Sequence, residues 1–317
     1  MTTRVLISVD TELTWRAHLA GCGWEENLRR SYEAAGVGVS YQLGRLARHG
    51  LRACYFVDPM PAVMFGIEPV RRMIAPIVAA GQEVQLHLHP MWLDALSRRV
   101  DDTADHDMRG RRVEEQHAIM ARAIALFREA GGGDPVAFRA GNYGADDATL
   151  AAAAAVGMRY DTTHNGSMLP EPCAIGLPRA AVAPTMRQGL TELPVTLIDG
   201  GRGRLRHLQI GAVSFGEMRA ALLHAEREGN PLVTIVGHSF ELASRDGSRV
   251  NRLVRRRFDR LCAFLAAERD RFPTVRLDRL DALPMDVPAT PAPTGAARRW
   301  VRMAAQAASN LVYEGRP

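Results

Sequence analysis

The sequence predicts an α/β chain built as a closed or nearly closed parallel β/α barrel, followed by a C-terminal helical tail. Two observations carry this. Short runs of β-branched and aromatic residues recur, each followed by a stretch with helical spacing, and strands alternating with helices form parallel βα units rather than hairpins. About seven such units in roughly 285 residues suit a barrel, and the first strand lacks the GxGxxG turn of an open dinucleotide-binding sheet.

In order, the predicted strands are residues 4–9, 52–57, 83–88, 136–139, 191–195, 232–236 and 274–277. The first, Val5-Leu6-Ile7-Ser8-Val9, reads as a buried strand. Between the third and fourth, residues 110–130 set Val113, Gln116, His117, Met120, Ile124 and Phe127 on or near one helix face. Arg255-Arg256-Arg257 fall in a helix whose buried stripe is Leu253, Phe258, Leu261 and Leu265, so the arginines read as a solvated face. Two stretches interrupt the alternation: residues 101–107, acidic and carrying His106, and residues 162–188, rich in Pro and Gly. In barrels such insertions shape the rim of the site. His106 between Asp105 and Asp107 reads as a solvated acidic loop rather than a second metal site.

The domain organisation predicted is a barrel over residues 1–283, a Pro/Ala linker over 284–295 and an amphipathic helix over 296–317. Trp300, Ala304, Ala307 and Leu311 share helical spacing there, with Arg298, Arg299 and Arg302 nearby. The tail is expected to pack on its own barrel, form a homodimer or touch a membrane peripherally.

The net charge of +5 comes entirely from arginine, for none of the 40 basic residues is lysine, and it is not read as a nucleic-acid surface. Cys22, Cys54, Cys173 and Cys262 lie far apart, which excludes a disulfide framework and a CxxC zinc ribbon and points to a reducing compartment. No apolar run approaches the ~18–20 residues that cross a bilayer. The N-terminus lacks a basic segment followed by an apolar one, so the expected location is the cytoplasm.

Functional groups of a parallel β/α barrel gather at the C-terminal ends of the strands. Here those ends carry Asp10-Thr11-Glu12, His87-Leu88-His89-Pro90, Arg139-Ala140-Gly141-Asn142-Tyr143-Gly144 and Gly237-His238-Ser239. Histidines at i and i+2 of an extended segment point to one side, and both imidazoles of His87 and His89 can bind one ion. A hydrolytic Zn²⁺ typically takes three N/O ligands, and a carboxylate from the first strand completes the set.

These segments, with Ser8-Val9-Asp10-Thr11-Glu12, Gly81 to Pro90, Phe138 to Gly144 and Ile235 to His238, resemble successive motifs of the polysaccharide deacetylases, the NodB-homology carbohydrate esterases. The resemblance implies a distorted (β/α)7 barrel that removes acetyl groups from amino sugars with one divalent metal, Zn²⁺ foremost and Co²⁺, Ni²⁺ or Mn²⁺ as alternatives. Asp10 then corresponds to the general base, Glu12, His87 and His89 to the metal ligands, Arg139 to the arginine that orients the base, and His238 to the acid that protonates the leaving amine. A backbone N–H of Asn142 or Tyr143 faces the oxyanion in this comparison.

The chain departs from the family pattern in three places. Thr11 separates the two carboxylates, which leaves Asp10 and Glu12 interchangeable in role; Met91 stands where the second histidine usually falls; and the third motif is one residue longer. Trp15, Trp24 and Trp92 follow the strand ends and are candidate sugar platforms, and His164 and Asn165 are candidates either to touch substrate or to support the residues that do. The expected activity is N-deacetylation of an acetamido sugar that is nucleotide-linked, lipid-linked or a small glycoside. Hydrolysis of another C–N amide, such as a cyclic amide or formamide, with or without metal, is the second reading, and a catalytically silent sugar-binding module the third.

Overall fold

The computed structural model of the protein describes residues 2–96 and 107–314. His106 and most of the acidic stretch predicted around it lie outside the described residues. Among the described residues ten strands form: β1 (Arg4–Thr11), β2 (Cys54–Val57), β3 (Glu83–Leu88), β4 (Ala137–Ala140), β5 (Tyr160–Asp161), β6 (Thr185–Arg187), β7 (Leu190–Glu192), β8 (Leu197–Gly201), β9 (Arg204–His207) and β10 (Leu232–His238). Eight make one sheet in the order β10-β1-β2-β3-β4-β5-β7-β6, parallel except for β6 against β7, while β8 and β9 form a separate hairpin.

The sheet curls into a distorted barrel with β10 and β6 at its edges, and irregular backbone pairs along β10. Thr196 N–H donates to the Thr234 carbonyl at 3.3 Å, Ile210 N–H to Val236 at 2.9 Å, and Val236 N–H to Leu208 at 3.0 Å. Side-chain alternation then sorts the strands into two faces. Along β1, Val5, Ile7 and Val9 join the apolar layer under the helices, whereas Leu6 joins an interior cluster with Cys54, Phe56 and Ala137. The next interior positions above Leu6 are Ser8 and Asp10, so the periodicity that buries Leu6 also aims the carboxylate into the barrel mouth.

The structure corrects three predictions. Residues 274–277 form no strand: Val5 N–H donates to Pro273 and Val275 N–H to Val5, a single bridge on the part of the β1 edge that β2, paired only from Ser8 onward, leaves open. Instead Leu277 and Leu283 close the base of the interior cluster, and the Glu83 carboxylate accepts the N–H groups of Leu277 and Asp278 at 2.7 Å each. Within the helix Arg252–Ala267, Arg257 is not solvated; it is 6% exposed and its Nη1 donates to the Gly211 carbonyl at 2.7 Å. In the helix Val113–Glu129, Gln116, Met120, Ile124 and Phe127 are buried as expected, but Val113 and His117 face outward, and Ile119 and Ala123 complete the stripe.

The last helix spans Ala296–Ser309. The segment before it is tied to the body of the protein, since Ala292 N–H donates to the Leu197 carbonyl at 3.1 Å and Asp199 N–H to Ala292 at 2.9 Å. No helix among the described residues is long and apolar enough to cross a membrane.

Candidate metal and catalytic site

Two i, i+2 pairs meet at the mouth. Asp10 and Glu12 come from β1 and its extension, and His87 and His89 from β3 and its extension. Glu12 Oε2 lies 2.5 Å from His89 Nε2 and 3.5 Å from His87 Nε2, and one ligand atom from each of the three falls within 4.8 Å of the others. His87 Nδ1 donates to the Arg139 carbonyl at 2.9 Å, which orients the ring with Nε2 toward Glu12. Two buried imidazoles and one partly buried carboxylate are donors that suit a divalent ion such as Zn²⁺.

Burial alone would raise the Glu12 carboxyl, but the His89 charge and the hydrogen bonds from both imidazoles hold it well below the usual carboxylate range. Burial would likewise lower His89, yet the Glu12 carboxylate outweighs it and pushes His89 up to about 9. Gly141 makes room for this arrangement: a Cβ there would sit 2.4 Å from the His89 ring. The two residues after it, Asn142 (φ 55°) and Tyr143 (φ 60°), hold left-handed backbone that side chains disfavour, a form of strain that clusters at functional sites.

Beside the ligands, Arg139 reaches across the interior from β4. Its Nη1 donates to Asp10 Oδ1 at 2.7 Å and its Nη2 to Ser8 Oγ at 2.9 Å, while the guanidinium stacks 4.5 Å from the centre of the Phe56 ring. Burial opposes ionisation of Asp10, and the charges of Arg139, His87 and His238 overcome it, so its carboxyl lies below the usual value. Register aligns Asp10 with His238 across β1 and β10, and His238 Nε2 stands 4.0 Å from Asp10 Oδ2.

His238 is backed by residues that sequence reasoning missed. Gln209 Nε2 donates to Glu241 Oε1 at 2.7 Å, which orients the amide, and the same nitrogen lies 3.3 Å from His238 Nδ1. Nδ1 therefore accepts, and Nε2, the atom facing Asp10, carries the proton. Behind Gln209, His207 Nε2 donates to Gln209 Oε1 at 2.7 Å, and Ser167 Oγ lies 3.1 Å from His207 Nδ1. Burial drives His207 down to about 4, consistent with a neutral ring in this chain.

Asp58 is a second acid not anticipated. It continues the interior alternation of Cys54 and Phe56, is fully buried, and accepts from Trp92 Nε1 at 3.1 Å. Burial raises its carboxyl to about 6 against the pull of His89 and His87.

Two predicted contacts are overturned. Trp92 is 1% exposed and tied to Asp58, so its face is unavailable to a sugar. His164 is fully buried with Nε2 donating to the Pro178 carbonyl at 3.2 Å, and burial drives it to about 4. Trp15 is half-buried, edge-on to Trp92 at 5.1 Å, whereas Trp24 is covered by Arg72, 5.1 Å from its ring centre. The Asn142 side chain donates to Asp107 at 3.2 Å, and Tyr143 lies beside the His207 ring at 5.7 Å.

No protein-family model and no curated protein matches the chain. Among solved structures, a protein described as a polysaccharide deacetylase from Mycobacterium smegmatis matches at TM-score 0.52 and 17% identity, over 89% of this chain and 96% of that one. A 4-alpha-glucanotransferase from Thermococcus litoralis matches at TM-score 0.53 and 9% identity, over 87% of this chain and 40% of that one. The chain shares the curled α/β barrel fold of the first of these structures. A barrel found under two such different names leaves the chemistry to be argued from side chains.

Proposed function

We propose that the chain is a divalent-metal-dependent hydrolase that removes the N-acetyl group from an acetamido sugar presented as a nucleotide-linked, lipid-linked or small glycoside. The observation that carries this reading is the Asp10 carboxylate, clamped by Arg139 at 2.7 Å and facing His238 at 4.0 Å, next to the Glu12, His87 and His89 cluster. Glu12 is engaged by two imidazoles, which suits a ligand, and leaves Asp10 as the base. The similarity in fold to a protein described as a deacetylase agrees with it.

Glu12, His87 and His89 would hold a divalent ion such as Zn²⁺, which would supply Lewis acidity toward the amide carbonyl and a water. The rest falls to this chain's own groups. Asp10, kept ionised by Arg139, accepts the proton of the attacking water. The left-handed turn at Asn142 and Tyr143 supplies backbone N–H groups to the developing oxyanion, a role typically worth roughly 3–4 kcal/mol. The departing amine takes back the proton that Asp10 accepted from the water, beside His238, whose Nε2–H faces that carboxylate at 4.0 Å because Gln209 occupies Nδ1. Trp15 offers a half-exposed ring to the sugar.

The test is release of acetate and primary amine from N-acetylglucosamine glycosides, chitooligosaccharides and UDP-N-acetylglucosamine by protein stripped with chelator and reloaded with Zn²⁺, Co²⁺, Ni²⁺ or Mn²⁺. Asp10→Asn should lower turnover by about 10²-fold or more. Formate release from a formamido sugar in place of acetate would move the site to another amide, and sugar binding without acetate release under any metal would make it a binding module.

A further inference from the structure

The helix Ala296–Ser309 is amphipathic in the reverse of the usual sense. A surface helix ordinarily buries its apolar stripe and exposes its polar one. Here polar groups dock it: Arg302 Nε donates to Glu217 at 2.9 Å with both side chains buried, and Asn251 Nδ2 donates to Ser309 Oγ at 2.9 Å. The apolar side faces outward, with Trp300 70%, Val301 63%, Met303 53% and Leu311 79% exposed. At about 100° per residue, Trp300, Ala304 and Ala307 run down the centre of that face, with Val301 and Met303 on its shoulders and Leu311 in the π-helical turn, Asn310–Glu314, that follows.

Arginines border the face on both sides. A cleft of about 550 Å³ against the β8–β9 hairpin is lined by Arg202, Arg204, Arg206 and Arg299 together with Trp300 and Met303. A second, of about 440 Å³ against the helices Phe215–Glu228 and Arg252–Ala267, is lined by Arg256, Arg260, Arg298 and Val301. Among the described residues, Arg299 has Asp199 at 3.9 Å, whereas Arg202, Arg204, Arg206, Arg256, Arg260 and Arg298 form no ion pair, and Arg206 Nε is buried without a hydrogen-bond partner.

We propose that this face docks the protein on an anionic lipid bilayer. A tryptophan and aliphatic side chains between two rows of arginine match the apolar boundary and the phosphate layer of a membrane surface, where Trp and Arg each reside favourably. A second copy of the chain is the poorer occupant: a twofold contact sets the patch against itself and brings its arginine rows against one another. Docking also has a consequence for access. Arg206 is shared with a groove of about 700 Å³ that includes Gln209 and Glu241, the residues behind His238. The inference concerns lipid and is independent of the acetamido-sugar reading.

The test is co-sedimentation of the full chain with vesicles of phosphatidylcholine alone or with about 30% phosphatidylglycerol. Partitioning should be about tenfold or more stronger onto the anionic vesicles and largely lost at about 0.5 M NaCl. A Trp300→Ser/Val301→Ser/Leu311→Ser variant, with unchanged circular dichroism, should lose about tenfold or more, and Arg202→Gln/Arg204→Gln/Arg298→Gln should lose the preference for anionic lipid. Wild type that stays in solution with both vesicles, or partitioning unaltered in the first variant, would overturn the proposal. So would a wild-type dimer that binds no vesicle and that the first variant converts to monomer.

Discussion

Arg139 and Asp10, 129 residues apart in the chain, form an ion pair of 2.7 Å in the barrel interior, with side chains 0% and 5% exposed. Charges taken this far from water persist only when paired and hydrogen-bonded. The guanidinium also serves Ser8 and the Thr162 carbonyl, so it is fixed before any substrate arrives.

Removing one partner leaves the other charge stranded. Arg139→Met should lower unfolding stability by about 3–5 kcal/mol, measured by denaturant titration. Asp10→Asn keeps the shape and should cost less stability while abolishing most turnover. A loss under about 1 kcal/mol for Arg139→Met would mean that the pair is not buried as described.

Metal capture should release a proton. In the metal-free chain His89 is raised from 6.5 to about 9, and Glu12 is depressed. The His89 contribution to stability is therefore complete below pH 6.5 and disappears as pH rises through about 9; that of Glu12 is complete above its unfolded value and disappears as pH falls through its depressed one. Zn²⁺ needs the neutral imidazole, so affinity should rise with pH up to about 9. Calorimetry at pH 7 in buffers of different ionisation enthalpy should give about one proton released per ion; affinity independent of pH between 6.5 and 8.5 would contradict the pairing.

Gly141→Ala should act on the metal without touching a ligand. The added methyl falls 2.4 Å from the His89 ring, forcing it away from Glu12. Zn²⁺ affinity should drop by about 10–100-fold, the range seen when support of a ligand is disturbed. Competition against a chromogenic chelator measures it, and unchanged affinity would show that His89 does not bind the ion.

Gln209→Met should separate turnover from binding. With the donor to Nδ1 gone, His238 is free to take the other tautomer, with its proton turned from Asp10. The expected result is a kcat lower by about tenfold or more with KM nearly constant, and an altered pH profile. A change in KM alone would place Gln209 among substrate contacts instead.

Much of this was legible because strand periodicity is short-range. The runs leading to Asp10, Glu12, His87 and His89 announce both their strands and the face on which those side chains lie. Residues 274–277 failed for a tertiary reason: one bridge forms beside Val5, and the N–H groups of Leu277 and Asp278 then go to the Glu83 carboxylate. Asp58 escaped because Asp58-Pro59 reads as a turn, although its i+2 relation to Phe56 was a usable signal. Arg257 shares a stripe with Val254, Phe258 and Leu261, so spacing could have revealed its burial had charge not decided the reading. Gln209 carries no local signal, since its meaning comes from His238 in another segment, whereas Glu241 lies three residues after His238 and accepts its N–H at 3.2 Å.

Metal analysis of the purified chain, alongside a His87→Ala/His89→Ala variant, tests the central claim most directly. Prepared without chelator, or incubated with Zn²⁺ and desalted, the wild type should hold about one transition-metal ion per chain and the variant essentially none. A wild type that retains no metal after incubation, or a variant that retains as much, would contradict a centre built from Glu12, His87 and His89.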